Sequence, residues 1–156
     1  MAVEIERKFL LANDNWRNEA SEPIRFRQGY LVGSDKSSVR VRTEGERAFI
    51  NIKSATLGIT RQEYQYPIPL EDAEKLLDDL CEKPLIEKNR FFIQNNKHTW
   101  EVDEFFGENQ GLVVAEIELR HEDEAFEKPS WLGEEVSGDT RYYNVCLVKH
   151  PYKDWQ

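Results

Sequence analysis

The residues able to do chemistry come in doublets. The stretch VEIERKFLL places Glu4, Glu6 and Lys8 two apart, so in an extended segment they share one face while Val3, Ile5 and Phe9 share the other. The same spacing recurs along the chain: Arg40 with Arg42, Arg61 with Glu63 and Gln65, Lys88 with Arg90, Glu101 with Asp103, and Glu116 with Glu118. Lys53 stands beside Asn51 in the same way. Like charges two residues apart repel and add nothing as surface decoration, yet one charged face per strand is also what a half-solvated sheet shows. The spacing leaves both orientations open. If the charged faces turn inward, Glu and Asp supply hard oxygen ligands for Mg²⁺ or Mn²⁺. Arg and Lys then supply the counter-charge for a polyanion, Arg being suited to bidentate contact with phosphate oxygens. A substrate needing both is a polyphosphate.

The elements that must position these groups are mostly strands. Alternation predicts strands near residues 2–10, 25–33, 37–44, 47–54, 60–67, 86–95, 98–106 and 112–120, with a short one near 145–149. GSDK, EGER and QNNKH read as hairpin turns. Helical periodicity is clear over 70–81, where Leu70, Ala73, Leu76, Leu77 and Leu80 form an apolar stripe. A short helix is expected at 122–127 and another turn of helix within PSWLGEEVSG. The expected fold class is α+β, mainly antiparallel β: a closed eight-stranded barrel with a few peripheral helices, one domain over 1–156.

The composition narrows the function classes. A net charge of −9 argues against a nucleic-acid partner. No apolar run approaches a membrane span, and the first residues lack the pattern of a secretory leader. Cys81 and Cys146 are too few for a disulfide framework, which fits a reducing cytoplasm. His98 and His121 have no Ser or Cys partner at a recognisable spacing, His150, four residues after Cys146, reads as packed or exposed, and a Gly-rich phosphate loop is missing. A lipid carrier would line its barrel with apolar side chains.

Taken in order, EIERK, RVR, NIK, RQEY, EKNR, WEVDEF, AEIEL and WLGEEVSGDTRYYN resemble the CYTH superfamily, the triphosphate tunnel metalloenzymes, across nearly the whole chain. The likeness is strongest to the small bacterial members that prefer inorganic tripolyphosphate. It implies a barrel whose charged faces line a triphosphate tunnel, and hydrolysis of a terminal phosphoanhydride with Mg²⁺ or Mn²⁺. By the same resemblance Glu4, Glu6, Glu116 and Glu118 gather the metal, with Asp103 assisting a second ion. Lys8, Arg40, Arg42, Lys53, Arg61 and Arg90 grip the triphosphate. Glu63 lies near the attacking water or the second metal, and Lys88 near the reacting phosphate. Arg61 and Glu101 could equally be salt-bridge partners that orient a neighbour. Trp131, Gly133 and Glu134 resemble a C-terminal segment packed on the barrel. Two positions depart from related sequences: Tyr143 stands where a basic residue is common, and Gln65 where Glu is common; Lys149 could supply the missing cation. The rivals are a thiamine triphosphatase or a class IV adenylyl cyclase on the same scaffold, a non-catalytic polyphosphate- or nucleotide-binding module, and a structural barrel with solvated charges. A small polyanionic substrate is the implied partner; the sequence says nothing of oligomeric state.

Overall fold

The computed structural model describes residues 3–55 and 58–155. The predicted strands form as β1 (Val3–Leu11), β2 (Ile24–Gly33), β3 (Ser37–Glu44), β4 (Arg47–Ser54), β5 (Thr60–Pro67), β6 (Ile86–Asn95), β7 (His98–Phe105) and β8 (Val113–Leu119). Ala2, the first residue of the expected leading strand, lies outside the described residues. All pairings are antiparallel, in the order β5-β4-β3-β2-β6-β7-β8-β1. The sheet closes on itself through β1 and β5, where Val3, Glu4 and Ile5 oppose Gln62, Arg61 and Thr60. The result is a closed eight-stranded barrel. Its hairpins turn where Gly45 and Asn96 adopt left-handed backbone, at φ 62° and 57°.

Alternation then sends odd and even residues to opposite sides. Outside β2–β4, helix α1 (Leu70–Asp79) covers Val41 and Ala48 with Ala73 and Leu77. Outside β1, β7 and β8, the segments near Trp16 and Trp131 bury Phe9, Trp100, Val102, Ala115 and Ile117. One end of the interior is apolar: Leu10, Tyr30, Ile86, Phe105 and Val114 meet Val136, Tyr142, Leu147 and Val148 of the C-terminal segment. The rest of the interior is charged.

Three expectations fail outside the barrel. Residues 144–149 form helix α2 (Asn144–Lys149), not a strand. Consecutive Leu147 and Val148 are both buried against the barrel end, a packing demand that overrides strand propensity. PSWLGEEVSG carries β9 (Leu132–Glu135), not a helical turn, and it pairs with β1 at Phe9 and Leu11. Gly133 permits this, since a Cβ there would stand 2.9 Å from the Leu10 carbonyl oxygen. Residues 122–127 are a turn running into extended chain. There Glu124 bonds the Arg120 amide and the His98 ring, and the Phe126 ring packs edge-on to Phe9 and Trp100 at 6.0 and 5.8 Å. Among the described residues, no helix is long and apolar enough to cross a membrane.

Candidate active site: a charged barrel interior

The inward faces hold nearly every charged doublet picked out by spacing. β1 contributes Glu4, Glu6 and Lys8, and β8 sets Glu118 opposite Glu6 and Glu116 opposite Lys8. Lys8 lies 3.8 Å from Glu116 and donates to the Tyr142 carbonyl of the C-terminal segment at 3.0 Å. Glu6 and Glu116 share one hydrogen bond. Burial, followed by the negative charges of Glu116 and Glu4, pushes the Glu6 carboxyl well above the usual range. Burial opposes ionisation of Glu116 too, but Lys8, the bond from Glu6, Arg90 and Lys88 outweigh it and hold that carboxyl well below. Of the two, Glu6 is therefore the one that takes up a proton first as pH falls.

A second cluster lies on β6 and β7. Asp103, fully buried, accepts from Lys88 at 2.8 Å and from Arg90 at 2.7 and 2.9 Å. Burial alone would raise its pKa, but Arg90 and Lys88 overcome burial and lower it. Arg90 also pairs with Glu101 at 3.3 Å. Burial of Lys88, with Arg90 adding repulsion, outweighs Asp103 and lowers the ammonium to about 8.

The third cluster spans β3, β4 and β5. Lys53 bridges Glu4 and Glu63 at 3.3 Å each, and Arg40 lies 4.0 Å from Glu63. Burial works against the Glu63 charge, but Lys53 and Arg40 prevail and lower its pKa. Arg42 pairs with Glu44 at 2.5 Å and donates to Gln65 at 3.1 Å. Gln65 also accepts from Asn51 at 2.8 Å, so the amide at this position ties Arg42 to Asn51. Burial and repulsion from Arg40 and Arg90 lower Arg42 to about 10.

A cavity of about 430 Å³ opens onto this interior, lined among others by Glu6, Lys8, Arg40, Lys53 and Arg61. Lys149 and Tyr143 line it too. The departure at Tyr143 leaves an aromatic ring 5.3 Å from the Arg61 guanidinium, and its hydroxyl donates to the Ser137 carbonyl. Lys149 brings a cation to the same mouth. Arg61 touches the Gly58 carbonyl at 3.4 Å and pairs with no carboxylate among the described contacts. Glu118 is the outlier of the acidic set. It is exposed at the rim, bordering a second hollow with Glu101, His98 and His121. Among the described residues, no three His, Cys, Asp or Glu side chains stand together as a formed metal cage. The donors nonetheless suit a hard divalent ion. Glu4 and Glu63 raise the Glu118 carboxyl after burial, and Glu4 and Glu116 raise Glu6, repulsions that such an ion would relieve.

Spacing picked out Asn51 only as the neighbour of Lys53 and passed over Gln28, a second buried interior amide, although it lies in phase with Phe26 and Tyr30.

Known proteins resemble this chain in sequence and in fold. The profile of the CYTH domain matches residues 2–143. An inorganic triphosphatase of Acetivibrio thermocellus is 48% identical over 156 residues, 100% of this chain and 99% of that protein. One of Nitrosomonas europaea is 36% identical over 150 residues, 94% of this chain and 97% of that one. A crystal structure of an inorganic triphosphatase superposes with a TM-score of 0.67 at 36% identity, covering 95% of both chains.

Proposed function

The chain belongs to the CYTH domain family, and on that premise we propose that it is a divalent-metal-dependent triphosphatase that hydrolyses inorganic tripolyphosphate to pyrophosphate and phosphate. The observation carrying this reading is the interior itself: Arg40, Lys53, Lys88 and Arg90 face inward, each balanced by carboxylates that a polyphosphate can displace. A pure phosphate binder gains little from so many acids in its site. The whole chain acts as one domain in this account.

Glu4, Glu6, Glu116 and Glu118 would hold Mg²⁺ or Mn²⁺, with Asp103 joining them when substrate phosphates draw Lys88 and Arg90 away. The bound ion would neutralise phosphate charge and act as a Lewis acid. The chain's own groups do the rest. Lys8, Arg40, Arg42, Lys53, Arg61 and Arg90 hold the phosphates in line. Glu63, ionised because Lys53 and Arg40 lower its pKa, accepts a hydrogen bond from the attacking water. The water oxygen bonds to the terminal phosphorus, keeping one proton as P–OH and yielding the other to Glu63, while the bridging P–O bond breaks and pyrophosphate leaves with the electron pair. Lys88 hydrogen-bonds the oxygen on which that charge develops.

The test is product analysis by phosphorus NMR with tripolyphosphate, ATP and thiamine triphosphate. Tripolyphosphate is expected to be cleaved fastest, giving equal phosphate and pyrophosphate. Cyclic AMP formed from ATP, or preference for thiamine triphosphate, would replace this reading with one of its rivals.

The pH profile offers a second check. Lys88 is an ammonium at neutral pH and loses its proton near pH 8 in the free protein. Thus kcat/KM is expected to fall above about pH 8, whereas kcat persists to higher pH because a bound polyanion raises the Lys88 pKa. Lys88→Met should abolish that alkaline limb and lower kcat by about 100-fold. A limb unchanged in the variant would assign it elsewhere.

A further inference from the structure

Phe26, Gln28 and Tyr30 of β2 alternate onto the barrel interior. The heads of Arg42, Lys88 and Arg90 lie 5.4, 5.7 and 4.6 Å from the Phe26 ring, while Gly29 on the other face abuts Leu85 and Cys81. Gln28 is fully buried, yet neither its Nε2 nor its Oε1 has a hydrogen-bond partner among the described residues. The same holds for Nε of Arg40, Nε of Arg42 and Oδ1 of Asn51. The residues are register neighbours: Gln28 opposes Arg42 across β2–β3, Arg40 opposes Asn51 across β3–β4, and Gln65 accepts from both Arg42 and Asn51. A buried amide left wholly unpaired is costly, and a transient partner is one reason for a chain to keep it.

The set says what that partner offers. Gln28 Nε2 and the two guanidinium N–H groups donate; Gln28 Oε1 and Asn51 Oδ1 accept. An interior phosphate of a chain presents acceptors only. A terminal phosphate, whose second ionisation lies near neutrality, presents oxygen acceptors and a P–OH donor. The surroundings agree. Gln28 lies two residues from Tyr30, which with Arg40 lines the cavity, and it opposes Ile86 of the apolar cluster.

We propose that Gln28, with Asn51, is a substrate-binding residue that reads the terminal phosphate of a linear oligophosphate and thereby selects chains with a free end over cyclic phosphates. The amide donates to a P–O oxygen and accepts from P–OH, while the remaining phosphates trail past Arg40 and Lys53 toward the open cavity. This rests on the triphosphatase reading.

The test compares wild type with Gln28→Leu and Gln28→Asn by kinetics on tripolyphosphate, inhibition by cyclic trimetaphosphate, and Tm with and without tripolyphosphate. Gln28→Leu is expected to melt no lower than wild type without ligand, because it removes an unpaired buried amide. Its kcat/KM should fall at least about tenfold, mainly through KM. Its preference for the linear over the cyclic compound should shrink by a similar factor. Gln28→Asn, which keeps the amide but shortens its reach, should fall between the two, and it carries the test if Gln28→Leu does not fold. Unchanged KM and unchanged linear-to-cyclic preference, with a lowered Tm, would make Gln28 a structural residue and overturn the proposal. A wild-type protein that leaves tripolyphosphate intact would instead overturn the reading beneath it.

Discussion

Asp103→Asn is expected to destabilise the free protein by about 3–5 kcal/mol, the usual result of removing one partner from a buried ion cluster. Both Asp103 oxygens are taken by Lys88 and Arg90, and all three side chains are shielded from water, Lys88 and Asp103 almost completely. An amide offers one acceptor and no charge, so two cations in a low-dielectric interior would lose their shared anion. For a chain of this size, the Tm should drop by the order of 10 °C. Tripolyphosphate should recover part of the loss, because it brings anionic oxygens to the cations the variant leaves unpaired and binds only the folded state. Thermal unfolding of wild type and variant, with and without tripolyphosphate, checks both halves. A variant as stable as wild type would show that Asp103 is not the anion holding this cluster together.

Glu6→Gln should do the opposite, leaving stability nearly intact while activity collapses. Glu6 is the member of its pair with Glu116 whose carboxyl is pushed up, so where Glu6 is protonated a neutral amide keeps the hydrogen bond and removes no charge. The metal-loaded protein is different. A divalent ion displaces that proton, and an amide cannot become the carboxylate that replaces it. At limiting metal the phosphate-release rate is expected to fall by about 10²–10³-fold, on the scale of losing one main electrostatic contact to the reaction. Excess metal should recover part of it. The same competition makes metal affinity rise with pH as the proton on Glu6 becomes easier to remove. Full activity in Glu6→Gln at limiting metal would remove Glu6 from the metal-binding set.

The barrel was legible because alternation is local. A strand such as SSVRVRTE shows its two faces in eight residues, and each of the eight barrel strands was placed by that signal. Whether the charged faces point in or out was not legible from alternation, which reads the same either way. Long-range register decides it: Glu6 opposite Glu118, Lys88 within reach of Asp103, Lys53 between Glu4 and Glu63. The order of the motifs, through the family resemblance, supplied what periodicity lacked. The C-terminal segment was misread for a different reason. Residues 132–135 and 144–149 take their conformations from the barrel surfaces that receive them, the Leu10 backbone for Gly133 and the apolar barrel end for Leu147 and Val148. Short stretches have little propensity with which to resist such contacts. Gln28 was overlooked because an amide carries no charge to notice; it is prominent only once its lack of partners is seen.

The most direct test of the central claim is phosphate release from tripolyphosphate by protein stripped with EDTA and then titrated with Mg²⁺ or Mn²⁺. The account predicts no turnover in the stripped protein and recovery as the ion is added, with pyrophosphate and phosphate formed in equal amounts. Turnover at the same rate in the stripped, metal-free protein would contradict metal dependence, and no turnover at any metal concentration, in protein shown to be folded, would contradict the triphosphatase reading itself.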